Sequence, residues 1–172
     1  MLITIRKRRG TGEGDLVDLL LACHERIRRF AVLAVTVAQR QDLPGNEVAE
    51  ACVQVHRYFS EALPLHVADE DESILPRLQG ASPEIDHALR TMRDQHVEHG
   101  PKLQSLLRLT EALRVQSDAA ALKSDLAVVA VDLEQEFHAH LAMEESVLFP
   151  ALRGLPGSIQ AEIVAELRER RG

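Results

Sequence analysis

The sequence predicts an all-α protein: an antiparallel up-down four-helix bundle with a short fifth helix at its C-terminal side. Three observations lead there. From Asp15 onward, apolar residues recur at intervals of three and four, the period of an amphipathic helix. Hydrophobic residues make up 45% of the chain but aromatics only 3%, with no Trp, so the core is built from Leu, Val, Ala and Ile, which suits helices packed on helices. Short turn signals separate long periodic segments, and long helices joined by short turns pack antiparallel. At 172 residues, one domain with a substantial core is expected.

Residues 1–14 carry no helical period. The basic cluster Arg6-Lys7-Arg8-Arg9 lies beside Gly10, Gly12 and Gly14 and reads as a flexible, solvated arm. The bundle is expected over residues 15–152. Its first helix carries the stripe Leu16, Leu20, Cys23, Ile27, Phe30, Ala34 and Val37, with His24 on the edge. Asp42 to Asn46 is a turn, and Asn46 is placed as the N-cap of the second helix. That helix runs from Glu47 to about Leu78 and faces Cys52, Phe59, Leu63, His66, Glu70 and Ile74 inward. Pro64 removes a backbone hydrogen bond and is expected to kink it.

Ser82-Pro83-Glu84 is a strong start for the third helix: a capping serine, a proline at the first helical position, then an acid at the positive end of the dipole. It faces Ile85, Leu89, Met92, His96, Leu103 and Leu106 inward, and Gly100-Pro101 is expected to bend it. Ser117 or Asp118 is placed as the cap of the fourth helix, which buries Leu126, Val129, Leu133, Phe137, His140, Glu144, Val147 and Leu148. Residues 153–172 form a loop and a short helix capped by Ser158, with Ile159, Ile163, Val164 and Leu167 on one side.

The formal net charge of −7 argues against a nucleic-acid binder. Cys23 and Cys52 form neither a disulfide framework nor a CxxC pair, and both are expected as buried free thiols. No apolar run reaches the ~18–20 residues needed to span a bilayer, and residues 1–9 lack the apolar stretch of a signal peptide. A cytoplasmic location is the expectation.

One spacing occurs twice. His66 is followed by Glu70 and then Pro76; His140 is followed by Glu144 and then Pro150. Residues four apart share one helix face, so each copy presents an imidazole and a carboxylate about 6 Å apart on the same side. His24 and His96 lie on or beside the apolar stripes of the other two helices. In an antiparallel hairpin, residues at one height lie symmetrically about the turn. With the two His/Glu pairs centred on 68 and 142, the midpoints from 24 to 68, 68 to 96 and 96 to 142 fall at 46, 82 and 119, at the three expected turns. All four helices therefore bring ligands to one level. Unpaired carboxylates on core-facing stripes cost several kcal/mol each, and without metal the two are expected to repel without counter-charge. Nitrogen and oxygen donors without thiolate favour iron, manganese or zinc, and paired carboxylates with histidines in a helical bundle favour two irons.

The pattern of His24, His66-x-x-x-Glu70, His96 and His140-x-x-x-Glu144, with the tails Ile74-Leu75-Pro76 and Leu148-Phe149-Pro150, resembles the hemerythrin-like HHE cation-binding family over roughly residues 15–152. The resemblance implies His24, His66, His96 and His140 as terminal iron ligands. It implies Glu70 and Glu144 as bridges of a non-haem di-iron centre, oxo- or hydroxo-bridged when oxidised. Two departures from the oxygen-carrying members stand out. Position 100 is glycine where they have a histidine, and Glu144 follows His140 by four residues where they have an aspartate at five. His99, one residue short of position 100, faces inward and joins the candidate ligands.

Other polar residues receive plainer assignments. His56 reads as structural, and His87 and His138 as solvated. Tyr58, the only tyrosine, lies angularly off the metal face. Asp69, Asp71, Glu72 and Glu145 read as outer-face charge or as partners orienting ligand imidazoles. Three functions follow: a di-iron protein that binds or senses oxygen, peroxide, nitric oxide or iron; a peroxide-decomposing or oxidase enzyme on the same centre; or a metal-free helical interaction module. Metal binding releases histidine protons, so iron is expected to leave as pH falls below about 5–6.

Overall fold

The computed structural model describes residues 15–172; the N-terminal arm read from the sequence lies outside the described residues. Those residues are helical throughout apart from short turns. The first long rod is α1 (Leu16–Gln39). The second is continuous but changes pitch: α2 (Gly45–Arg57), a π-helical turn π1 (Tyr58–Ala62), α3 (Leu63–Ala68), a second π turn π2 (Asp69–Ile74) and α4 (Leu75–Leu78). The third is α5 (Pro83–Val115). The fourth is α6 (Ala120–Met143), π3 (Glu144–Leu148) and α7 (Phe149–Arg153), and α8 (Gly157–Glu169) follows. The rods pack as a bundle, α1 against α6 and α2, and α5 against α2 and α6, while α8 lies on π2 and α1.

Some local signals are realised as read. The Asp15 carboxylate accepts from the Asp18 N–H at 2.9 Å to cap α1. The Ser82 hydroxyl accepts from the Ile85 N–H at 3.2 Å, with Pro83 at the first position of α5.

Other expectations are corrected. The second rod starts earlier than Asn46, with Pro44 as its N-cap. Ala119, not Ser117 or Asp118, precedes α6, and Pro156, not Ser158, precedes α8. In each case a preset backbone or a close turn replaces the side-chain cap. Gly45 shows how close: a Cβ there would meet the Ser117 hydroxyl at 2.6 Å, so a side chain at residue 45 would make that hydroxyl move.

The prolines do not interrupt the helical run. Pro64, Pro76 and Pro150 each stand in the α turn directly after a π turn. A proline ring clashes with the carbonyl four residues back. Those residues are Ser60, Glu72 and Ser146, and all three lie inside π turns. Widening the turn by one residue moves the carbonyl away from the ring, so the rod continues. Pro101 is carried inside α5, which runs unbroken past it.

The apolar core is divided in two. One cluster joins Ile27, Ala34, Val48, Phe59, Leu63, Leu109, Leu133 and Phe137. The other joins Leu16, Leu20, Ile74, Leu78, Met92, Leu148, Leu152 and Ile163. Between them along every rod lies the level of the histidines and glutamates.

Candidate metal centre

The structure brings His24, His66, Glu70, His96, His140 and Glu144 to one place. His24, on the edge of the stripe in the sequence reading, is fully buried, while Cys23 is only half-buried. A rotation of α1 by less than one residue's angular step makes the difference. Glu70 and Glu144 are 2% and 1% exposed, far below the usual exposure of carboxylates. Each stands at the entrance of a π turn, one turn beyond its histidine. Single π turns often mark functional positions in helices.

Each glutamate touches two histidines from different rods. Glu70 Oε1 lies 2.9 Å from His66 Nε2 and its Oε2 lies 3.1 Å from His96 Nε2. Glu144 Oε1 lies 2.9 Å from His140 Nε2 and its Oε2 lies 3.2 Å from His24 Nε2. The six residues sort into two overlapping groups, His24–His66–Glu70–Glu144 and Glu70–His96–His140–Glu144. Within each group the ligand atoms lie within 4.8 Å of one another. Both glutamates belong to both groups, which is the arrangement two bridged cations require.

Whether a metal fits is tested by what the donors lack. Among the described residues, the buried side-chain nitrogen and oxygen atoms without a hydrogen-bond partner all belong to this cluster or to Asp71 beside it. They include Nε2 of His24, His66 and His96 and both oxygens of Glu144. Buried polar atoms are otherwise almost always paired. A pair of cations would satisfy these atoms together.

The electrostatics agree. Burial disfavours charge on His24, but the carboxylates of Glu144 and Glu70 outweigh it and push the imidazole up to about 9. His66 is raised well above the ordinary histidine range, burial being outweighed by the charge of Glu70. His96 rises for the same reason. Glu70 is held well below the usual carboxylate range, its burial outweighed by His66 and its other imidazole neighbours. The glutamates are therefore not left without counter-charge in the metal-free chain, as the sequence suggested: protons on the histidines supply it.

Outer partners orient the rings. His24 Nδ1 lies 2.8 Å from Glu145, which Arg28 also holds at 2.7 Å. His140 Nδ1 lies 2.7 Å from Gln95 Oε1. His96 Nδ1 lies 3.4 Å from Asp71. Gln95 was missed in the sequence; its only signal was its place beside His96. Asp69, read as outer-face charge, is instead fully buried, with Arg170 at 2.9 Å and Arg171 at 2.5 Å on its carboxylate.

His99 is buried but joins neither group; its ring lies 5.4 Å from that of His140. Burial and the neighbouring His140 push it down to about 4, so it is neutral at pH 7. It lines a cavity of about 30 Å³ beside the cluster, walled by Ile27, Leu63, Val67, Leu103 and Phe137. Tyr58 lies in π1, stacked on Phe30 with ring centroids 4.2 Å apart, and is in neither group. His87 and His138 are exposed, as expected, and His56 is half-buried.

Comparison with known proteins follows the same residues. The sequence profile of the hemerythrin HHE cation binding domain matches residues 15–152. The iron-sulfur cluster repair protein YtfE of Enterobacter sp. (strain 638) is 35% identical over 74 residues, which cover 43% of this chain and 33% of that protein. The iron-sulfur cluster repair protein ScdA of Staphylococcus haemolyticus is 28% identical over 100 residues, 55% of this chain and 45% of that one. A Haemophilus influenzae protein of uncharacterised function is 24% identical over 160 residues, 90% of this chain and 89% of its own length. The match thus spans less than half the length of the repair proteins. No helix of the described residues is long and apolar enough to cross a membrane.

Proposed function

We infer the function from a fixed starting point: the chain belongs to the hemerythrin HHE cation-binding family. It is a non-haem di-iron protein that binds or senses a small ligand such as oxygen, peroxide or nitric oxide. The antiparallel up-down arrangement expected from the turns is part of the same reading. The observation that carries this reading is the pair of four-residue groups sharing both glutamates. His24 and His66 would hold one iron and His96 and His140 the other, with Glu70 and Glu144 available to both. Oxygen and imidazole donors without thiolate suit iron in such a site.

When bound, the iron pair supplies redox capacity and an exchangeable coordination position. The chain's own residues do the rest. Glu145 and Gln95 hold His24 and His140 at Nδ1, which leaves Nε2 aimed at the glutamates. The apolar walls of the small cavity limit water, and its volume admits about one water-sized or diatomic molecule. His99, the neutral imidazole on that cavity, is placed to hydrogen-bond a ligand held there. The position of His99 on that cavity supports one second reading, turnover of peroxide on the same centre, in which a polar side chain stands beside the reacting ligand.

The test is anaerobic ferrous loading followed by metal analysis and absorption spectroscopy. Two irons per chain, with a near-ultraviolet band that azide or peroxide alters, is the expected result. A loaded centre whose spectrum ignores azide, peroxide and nitric oxide removes the small-ligand reading and leaves iron binding. No bound iron leaves the metal-free module. Steady oxygen evolution or consumption on adding peroxide supports the enzymatic reading.

A further inference from the structure

A second cavity, of about 290 Å³, lies on the other side of His66 and plays no part in the chemistry above. Its wall includes Cys23, Arg26, Tyr58, Leu65, His66 and Arg171. The His66 ring borders both cavities. Its Nε2 faces Glu70 at 2.9 Å, and its Nδ1 has no hydrogen-bond partner although the residue is only 3% exposed. Each of the other three cluster histidines has a side-chain oxygen near Nδ1: Glu145, Gln95 or Asp71. His66 has the thiol of Cys23 as its neighbour instead.

Cys23 differs from the chain's other cysteine in every respect that governs reactivity. Cys52 is 1% exposed and lies inside the apolar core. Cys23 is half-buried on the cavity wall, and Arg26 Nη2 donates to its sulfur at 3.3 Å. Arg171 adds a second guanidinium to the same wall. Partial exposure beside cations is the setting in which cysteines react.

We propose that Cys23 is a modification site for hydrogen peroxide, set behind His66. The sulfur attacks one peroxide oxygen; the S–O bond forms as the O–O bond breaks. Sulfur gives up two electrons and becomes a sulfenic acid, while the departing oxygen takes the thiol proton and leaves as water. The Arg26 guanidinium stabilises the negative charge that develops during transfer. The product adds an oxygen beside His66, whose Nδ1 lacks a partner, and so ties the oxidation state of Cys23 to the orientation of His66. The modification stands by itself; its link to iron rests on His66 being a ligand, as proposed above.

The test uses the full chain as purified, treated with hydrogen peroxide and dimedone and mapped by peptide mass spectrometry. The dimedone adduct is expected at Cys23 about tenfold over Cys52, absent in Cys23→Ser and slowed severalfold in Arg26→Ala but not in Arg57→Ala. Equal labelling of both cysteines overturns the proposal. So does no Cys23 adduct when a free cysteine peptide in the same tube is labelled. The link is read on iron-loaded protein treated with methyl methanethiosulfonate, which caps the thiol without peroxide. Its absorption band is expected to shift in the unsubstituted chain and stay unchanged in Cys23→Ser. An unshifted band at full capping overturns the link. A preparation that holds no iron contradicts the metal reading, and the labelling still decides the modification.

Discussion

The two His-x-x-x-Glu copies look interchangeable in the sequence, and at their inner ends they are. His66–Glu70 and His140–Glu144 both close at 2.9 Å, and both glutamates lie in the first two residues of a π turn. Their outer ends differ. His140 is held by Gln95, whereas His66 has the Cys23 thiol as its neighbour. The residue before Glu70 is a buried aspartate pinned by the C-terminal arginines. The residue after Glu144 is a glutamate shared by His24 and Arg28 on the first helix. A ligand geometry can thus be duplicated exactly as far as the donors reach, while the shell that orients it is rebuilt from whatever packs behind. The first copy depends on α8 and the second on α1 and α5.

The strongest way to break the comparison is to remove a shared ligand. Because each glutamate belongs to both groups, Glu70→Ala and Glu144→Ala are both expected to lose both irons. The loss of affinity should exceed the ~10–100-fold typical of outer partners. His87→Ala and His138→Ala serve as controls, and metal analysis of the four variants reads the result. Loss of only one iron from either glutamate variant would show that the copies are independent.

The metal-free chain gives the next largest effect. Imidazoles with raised pKa values stabilise the fold fully below the unfolded value of 6.5, and that contribution is lost as pH rises through the folded value, about 9 for His24. For His24 the shift amounts to on the order of 3 kcal/mol. Denaturant melts of metal-free protein should therefore show stability falling between about pH 6.5 and 9, whereas iron-loaded protein should not. Iron uptake near neutral pH should release protons, measurable in weakly buffered solution.

The clamp on the first copy comes third. Arg170→Ala with Arg171→Ala leaves the Asp69 carboxylate buried and unpaired, and should cost about 2–4 kcal/mol in a denaturant melt. Asp69→Asn leaves only partly exposed arginines and should cost less. If both changes cost the same, the burial of Asp69 is not what the arginines offset.

The smallest effect sharpens the second copy. Gln95→Ala frees Nδ1 of His140 and should weaken iron binding by ~10-fold. Cys23→Ser should do much less, because a serine hydroxyl keeps a polar group beside His66. An iron titration of both variants makes the comparison.

How much of this was legible follows from the range of each interaction. The six cluster residues could be read because an i, i+4 pair and the symmetry about each turn are local geometry. The buried face of α1 was misread between Cys23 and His24 because adjacent residues differ by about 100° around a helix, and the first helix's stripe is broad enough to admit either. Asp69 could not be read: its partners lie 101 and 102 residues away, just past the end of α8. The π turns left a signal, Leu-Pro or Phe-Pro after each, but a proline in a helix reads as a kink until packing shows that the rod must stay continuous.

The central claim is that two metal ions share both glutamates. A crystal structure of the iron-loaded protein, with anomalous scattering recorded at the iron edge, tests it most directly. Two iron peaks about 3–4 Å apart are expected, one beside His24 and His66 and the other beside His96 and His140, with Glu70 and Glu144 each touching both. A single peak, or two irons with a glutamate private to each, would contradict the account.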